Sequence, residues 1–166
     1  GKGSTFTLSL PLTLAVLDGM VVDVDGQTLV APLGAIVETM SLTGDRIRPF
    51  GETASVIKDR DGFVPIIDTA AELGFREHRQ VRGDQDHGVA LLVESEGGGR
   101  SALVVDSIQD QRQVVIKSLE TNYGRVPGVA AATILGDGRV ALILDVDNLV
   151  ARARSDAGVE AQIAAE

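Results

Sequence analysis

The chain has 166 residues, no cysteine, no tryptophan, four Phe, one Tyr, 19 glycines and a formal net charge of −9. Without cysteine there is no disulfide framework, no thiolate zinc site and no cysteine nucleophile. An acidic chain with 3% aromatic residues lacks the basic face and the stacking platforms that nucleic-acid binding needs. At 44% apolar residues it reads as globular, and a chain of this size buries roughly 70% of its unfolded surface without staples. No apolar run reaches the ~18 residues of a membrane span, and the opening residues do not read as a secretory leader.

In chain order, the pattern is one of short Val/Ile/Leu-rich runs broken by turn residues. Met20 to Val24, the dipeptide Asp25-Gly26 and Thr28 to Ala31 predict a hairpin, because Asp-Gly supplies the two positive-φ positions of a tight type I′ turn. Ser55 to Lys58, Asp61-Gly62 and Phe63 to Ile67 predict a second. A short helix follows, opened by Asp68 and closed at Gly74. Residues 75–86 are polar and read as a connection. Val89 to Glu94, the glycines 97–99 and Ser101 to Val105 predict a third hairpin. Val129 to Leu135, Gly136-Asp137-Gly138 and Val140 to Leu144 predict a fourth. A second helix starts near Asp145 or Asp147 and runs past Leu149, since Asp caps the free N–H groups of a first turn. Residues 151–166 read as helix or frayed tail.

These elements repeat. Thr28-Leu29-Val30-Ala31 follows the first hairpin turn as Ser101-Ala102-Leu103-Val104 follows the third. Val64-Pro65-Ile66-Ile67-Asp68 leads into a helix as Ala141-Leu142-Ile143-Leu144-Asp145 does. The expectation is an all-β protein of two modules, each of about five strands (hairpin, middle strand, hairpin, short helix), closed into barrels to hide the sheet edges. The predicted division is residues 13–86 for the first barrel and 87–150 for the second, with strand 13–18 free to join either.

The residues with a chemical look are few. Asp23-Val24-Asp25-Gly26 at the end of a strand has the two-carboxylate spacing of a magnesium-dependent, haloacid-dehalogenase-like phosphatase. However, Gln27 intervenes before Thr28 and no helical crossover follows, so an Asp-Gly hairpin turn is the simpler reading. Gly1-Lys2-Gly3-Ser4 lacks the spacing of a phosphate loop. His78 and His87 make a poor zinc pair, and Asp145, Asp147 and Asn148 lack the glycine and closing Glu of a calcium loop. The expectation is therefore no catalytic residue, no metal and no cofactor. So much aliphatic strand surface points to binding.

Four stretches together carry a resemblance. Residues 126–146, Val-Pro-Gly-Val-Ala-Ala-Ala-Thr-Ile-Leu-Gly-Asp-Gly-Arg-Val-Ala-Leu-Ile-Leu-Asp-Val, are similar to the closing hairpin of the CheW-like regulatory domain of the chemotaxis histidine kinase family, CheA. Residues 31–38, Ala-Pro-Leu-Gly-Ala-Ile-Val-Glu, and residues 114–119, Val-Val-Ile-Lys-Ser-Leu, resemble the same domain. Residues 1–14 resemble the last strand of such a kinase's ATPase domain running into its neighbour, so residues 1–12 are expected to be the end of that upstream domain. The resemblance implies two five-stranded SH3-like barrels and a non-catalytic regulatory role in a cytoplasmic, receptor-associated, ATP-dependent kinase. The implied partners are the coupling protein CheW, the chemoreceptor tips and the upstream ATPase domain. A free-standing coupling protein is the alternative within the same family.

By the same resemblance, Ile36 and Glu38 hold the places of an aliphatic residue and a Glu that help form the partner surface. Arg60, five residues before Pro65, holds the place of an Arg on that surface. The family pairs that Arg with Gly; here Asp61 follows Arg60 and Gly62 comes one later.

Overall fold

The computed structural model describes residues 3–4, 15–52, 54–77, 81, 88–117 and 126–157. The expected end of an upstream domain (1–12), the His78/His87 pair and residues 158–166 lie almost wholly outside these. Among the described residues, eleven strands and two helices run in the order β1 (Val16–Val24), β2 (Gln27–Pro32), a 3-10 turn (Leu33–Ala35), β3 (Ile36–Ser41), β4 (Ile47–Phe50), β5 (Ala54–Asp59), β6 (Gly62–Asp68), α1 (Thr69–Glu72), β7 (Val89–Glu94), β8 (Arg100–Val105), β9 (Ser107–Val115), β10 (Val129–Ile134), β11 (Val140–Leu144) and α2 (Val146–Ala157).

The four hairpins form where the turn chemistry allows. Between β1 and β2, Asp25 (φ 48°) and Gly26 (φ 78°) make the paired positive-φ turn. The β7–β8 and β10–β11 turns close alike: Ser95 N–H donates to Gly99 O at 2.9 Å and Leu135 N–H to Arg139 O at 2.8 Å. The β5–β6 turn differs from expectation by one residue. Asp59 pairs with Gly62, so Arg60 and Asp61 form the turn and Gly62 belongs to β6. Both helices start on the expected Asp. Asp68 accepts from Ala71 N–H, and Asp145 accepts from Asn148 N–H at 3.0 Å.

The sheets, however, do not follow the division at residue 86. One has the order β10-β11-β2-β1-β9 and the other β3-β7-β8-β6-β5-β4. The repeat is real: β1, β2, β3, β5, β6 and α1 correspond to β7, β8, β9, β10, β11 and α2. But each repeat lends its leading hairpin to the other's barrel. Residues of β2 and β11 that the repeat singles out lie side by side in parallel, Leu142 with Leu29 and Ile143 with Val30. Their counterparts in β6 and β8 do the same, Ile66 with Ala102 and Ile67 with Leu103. The modules of the sequence are therefore repeats and not barrels. The second barrel also gains a sixth strand, β4.

Each barrel closes. Beyond β9, Lys117 exchanges two backbone hydrogen bonds with Ala132 of β10, at 2.8 and 3.0 Å. In the other barrel β3 runs through residues 42–46 directly into β4 at the opposite edge.

Hairpin exchange explains the composition of the leading strands. Val21 and Val30 point into the first barrel with Val114, Ala141 and Ile143. Ala90, Leu92, Ala102 and Val104 point into the second with Ile57 and Val64. Their alternates Val22, Val24, Leu29, Leu91, Val93 and Leu103 meet in a central core between the barrels, together with Leu144 and Leu149. Strands covered on both faces read as continuous apolar runs, which is why Val-Ala-Leu-Leu-Val and Ser-Ala-Leu-Val-Val show no polar alternation.

Candidate functional site

β3, β4, β5 and β6 build one continuous outer surface on the second barrel. β4, β5 and β6 are in antiparallel register: Arg48 lies opposite Val56, Val56 opposite Pro65, and Lys58 opposite Phe63. Ile47, Ile57 and Val64 fill the barrel interior. The alternate residues Arg48, Val56, Lys58, Phe63 and Pro65 therefore face outward.

Two concavities lie on this surface and share Arg48. The first is a polar cleft of about 480 Å³ between β3 and the β4–β5 strands, lined by Glu38, Met40, Asp45, Arg46, Arg48, Lys58, Asp59 and Arg60. The second is a mainly apolar groove of about 600 Å³, which includes Phe50, Val56, Phe63, Pro65 and Ile66 and is walled by Ala153 and Arg154 of α2. Phe63 is 62% exposed, an unusual state for an aromatic ring in a chain with so few.

The three residues expected at the partner surface separate. Glu38 and Arg60 line the same cleft, and among the described residues no ion pair joins them. Ile36 does not line it. A bulge makes the difference: Ile36 pairs with Val93 and Glu38 with Leu92, leaving Val37 as the extra residue. Successive residues of β7 face opposite sides of the sheet, so their partners do too. Ile36 is half-buried against the central core between the barrels.

The Asp61 departure also has a physical account. Arg100 at the start of β8 reaches Asp59 at 3.4 Å and Asp61 at 3.2 Å, so the two acids flanking Arg60 are both held by one guanidinium. At the other end of the cleft, a hydrogen bond from Thr43 holds the Asp45 carboxyl below its ordinary range, helped by Arg46 and Arg48.

Asp23 and Asp25 do not form an active site. β1 is antiparallel to both of its neighbours, Asp25 sits in the hairpin turn, and no helix follows. Asp23 instead accepts hydrogen bonds from Ser107 and Gln109, and Asp106 accepts from the Asp25 N–H at 2.6 Å. The phosphatase alternative is overturned, because its chemistry needs a parallel strand feeding a βα crossover. No group of three or more His, Cys, Asp or Glu among the described residues is arranged to hold a metal ion, and no helix among them is long and apolar enough to cross a membrane.

Phe63 was missed as a surface residue at the sequence level. Its signal is alternation about Val64: Val64 fills the barrel interior, so Phe63 and Pro65 on either side of it face outward.

Comparison with known proteins agrees with this architecture. The CheW-like domain family matches over residues 18–154. The chain is 63% identical over 154 residues to the chemotaxis protein CheA of Rhizobium meliloti, covering 93% of this chain and 20% of that protein. It is 40% identical over 149 residues to CheA of Salmonella typhimurium, covering 90% of this chain and 22% of that protein. The chain thus spans about a fifth of the length of these curated relatives. Among solved structures, the scaffolding protein TtCheW from Thermoanaerobacter tengcongensis superposes with a TM-score of 0.58 at 15% identity, over 79% of this chain and 90% of that one. With two barrels, exchanged hairpins and a family match over most of its length, the chain belongs to the CheW-like domain family.

Proposed function

We propose that this chain is the regulatory, non-catalytic domain of a chemotaxis histidine kinase, and that it docks the coupling protein CheW and chemoreceptor tips to place the kinase under receptor control in the cytoplasm. The observation that carries the docking is the outer face of β4–β6: an apolar groove with exposed Phe63 runs into a charged cleft holding Glu38 and Arg60. An apolar centre with a polar rim is the anatomy of a protein–protein interface. Arg46, Arg48, Lys58 and Arg60 stand there beside Glu38, Asp45 and Asp59, a mixed-sign charge pattern that orients the encounter with a complementary partner surface.

Such contacts bury little area and bind weakly when isolated; the remaining domains of the kinase raise the effective concentration. Identity to CheA proteins at 63% favours the kinase domain over a free-standing coupling protein. The test is a titration of the isotope-labelled chain with purified coupling protein. Saturable amide shifts at Glu38, Arg60 and Phe63 are expected, and no binding at ~100 µM, a generous ceiling for a transient contact, would contradict the reading.

A further inference from the structure

The apolar groove has features that a protein-docking face does not require. Its floor includes Ser101, which is fully buried, and whose hydroxyl has no hydrogen-bond partner among the described residues. A buried hydroxyl without a partner is costly and marks a place where a ligand atom would be welcome. Beside it stands Arg154 of α2. Its guanidinium lies over Gly99, in the space where a side chain at that position would go, and makes no ion pair among the described residues. The opposite rim holds Arg48, whose guanidinium donates to the carbonyl of Ile47. Between the two arginines the wall is apolar: Val56, Phe63, Pro65 and Ile66.

At about 600 Å³ the groove is within the range of small-molecule sites, which combine apolar walls with a few placed polar groups. We propose that it is a binding site for a small amphiphilic carboxylate: one apolar chain ending in a single carboxylate. The carboxylate sits on the Arg154 fork, which matches its planar geometry, and accepts from the Ser101 hydroxyl. The chain then runs across β6 and β5 towards Phe50 on β4. From β8 to β4 is three strand spacings, about 14 Å, so a chain of medium length spans the groove and acetate does not. Occupancy covers the groove beside Phe63 and competes with any partner that docks there, but the site itself does not depend on the docking reading.

The probe is decanoate, titrated into the isotope-labelled full chain with no partner present. Saturable amide shifts confined to the groove are expected, centred on Val56, Ile66 and Ser101. Loss of a charge-assisted pair weakens binding about tenfold or more, so Arg154→Ala and the uncharged analogue decanol should each show that loss, with thermal unfolding of the variant unchanged. Ser101→Ala should bind decanoate more weakly than wild type and decanol equally well. Absence of saturable shifts, shifts spread over both barrels, or equal affinities of wild type and Arg154→Ala would each overturn the proposal.

Discussion

Asp68 satisfies two demands from one buried carboxylate. It caps α1 through the Ala71 N–H and pairs with Arg76 at 2.8 Å, with 6% of its own side chain exposed. Burial pulls the Arg76 guanidinium down, but the Asp68 hydrogen bond and charge, with Asp106 and Asp25 beyond, leave it raised. Asp68→Ala should therefore lower stability by about 2 kcal/mol, from the lost cap and a half-buried unpaired Arg, and Asp68→Asn by less, as read by urea unfolding. Asp45, Asp110 and Asp137 are held low by Thr43, by Arg112 and by the Arg139 N–H respectively, each ahead of weaker causes. Carboxyls depressed on folding stabilise above their unfolded pKa, and that contribution fades as pH falls through the lowered values. All three lie at the surface, so added salt should flatten the acid limb of a pH–stability curve. On the proposed docking surface, Glu38→Arg replaces an exposed group and should leave the melting curve unchanged while weakening partner binding. Ile36→Asp should destabilise the fold by roughly 1–3 kcal/mol, because it buries a carboxylate against the central core.

Elements bounded by strong turn chemistry are the ones that sequence reading finds. The Asp25-Gly26 hairpin is legible because both of its residues adopt positive φ, which few pairs tolerate. The β5–β6 turn is legible as a hairpin but not in register, since Asp61-Gly62 resembles the same signal while the pairing of Asp59 with Gly62 moves the turn onto Arg60-Asp61. β9 hides its strand nature. Gln109, Asp110, Gln111, Arg112 and Gln113 are all exposed, so no apolar alternation marks the strand, and its structure comes from pairing along β1. β3 hides for a related reason, because its bulge at Val37 breaks the period. Of the proposed partner surface, Glu38 and Arg60 are legible only through family resemblance; the cleft that unites them depends on long-range pairing of β3 with β7. At the level of packing, Gly128 is hemmed in, whereas the positive-φ glycines of the hairpin turns, Gly26, Gly62, Gly98 and Gly138, have open space around them. Gly128 has φ +81°, and a Cβ there would lie 2.6 Å from Leu149 of α2 and 2.9 Å from Leu73, the residue that ends α1. Gly128→Ala should cost about 2–4 kcal/mol from strain and overpacking combined. Gly26→Ala, with the same sign of φ but open space around it, should cost only the backbone share, about 1–2 kcal/mol. Urea denaturation of the two variants side by side separates the contributions.

Across the whole molecule, hairpin exchange makes the two barrels one cooperative unit. Each barrel needs strands from both repeats, and the central core draws on both hairpins and on α2. Cleavage at a protease site inserted in the polar connection 75–86 should leave the two pieces associated and unfolding in one transition. Folding of either piece alone would contradict this. The same interlocking suits a rigid adaptor, in which a partner on the second barrel is held in fixed relation to the first. The proposed role of this domain is to regulate a kinase by docking, with the chemistry supplied by other parts of the parent protein. The most direct measurement is ATP-dependent autophosphorylation of the full parent kinase carrying Phe63→Asp, with and without receptors and coupling protein. Basal autophosphorylation equal to wild type, with receptor-dependent control reduced about tenfold or more (the loss expected when an aromatic anchor of an interface is removed), is the predicted result. Receptor control that survives the substitution, or basal activity that disappears with it, would contradict the account.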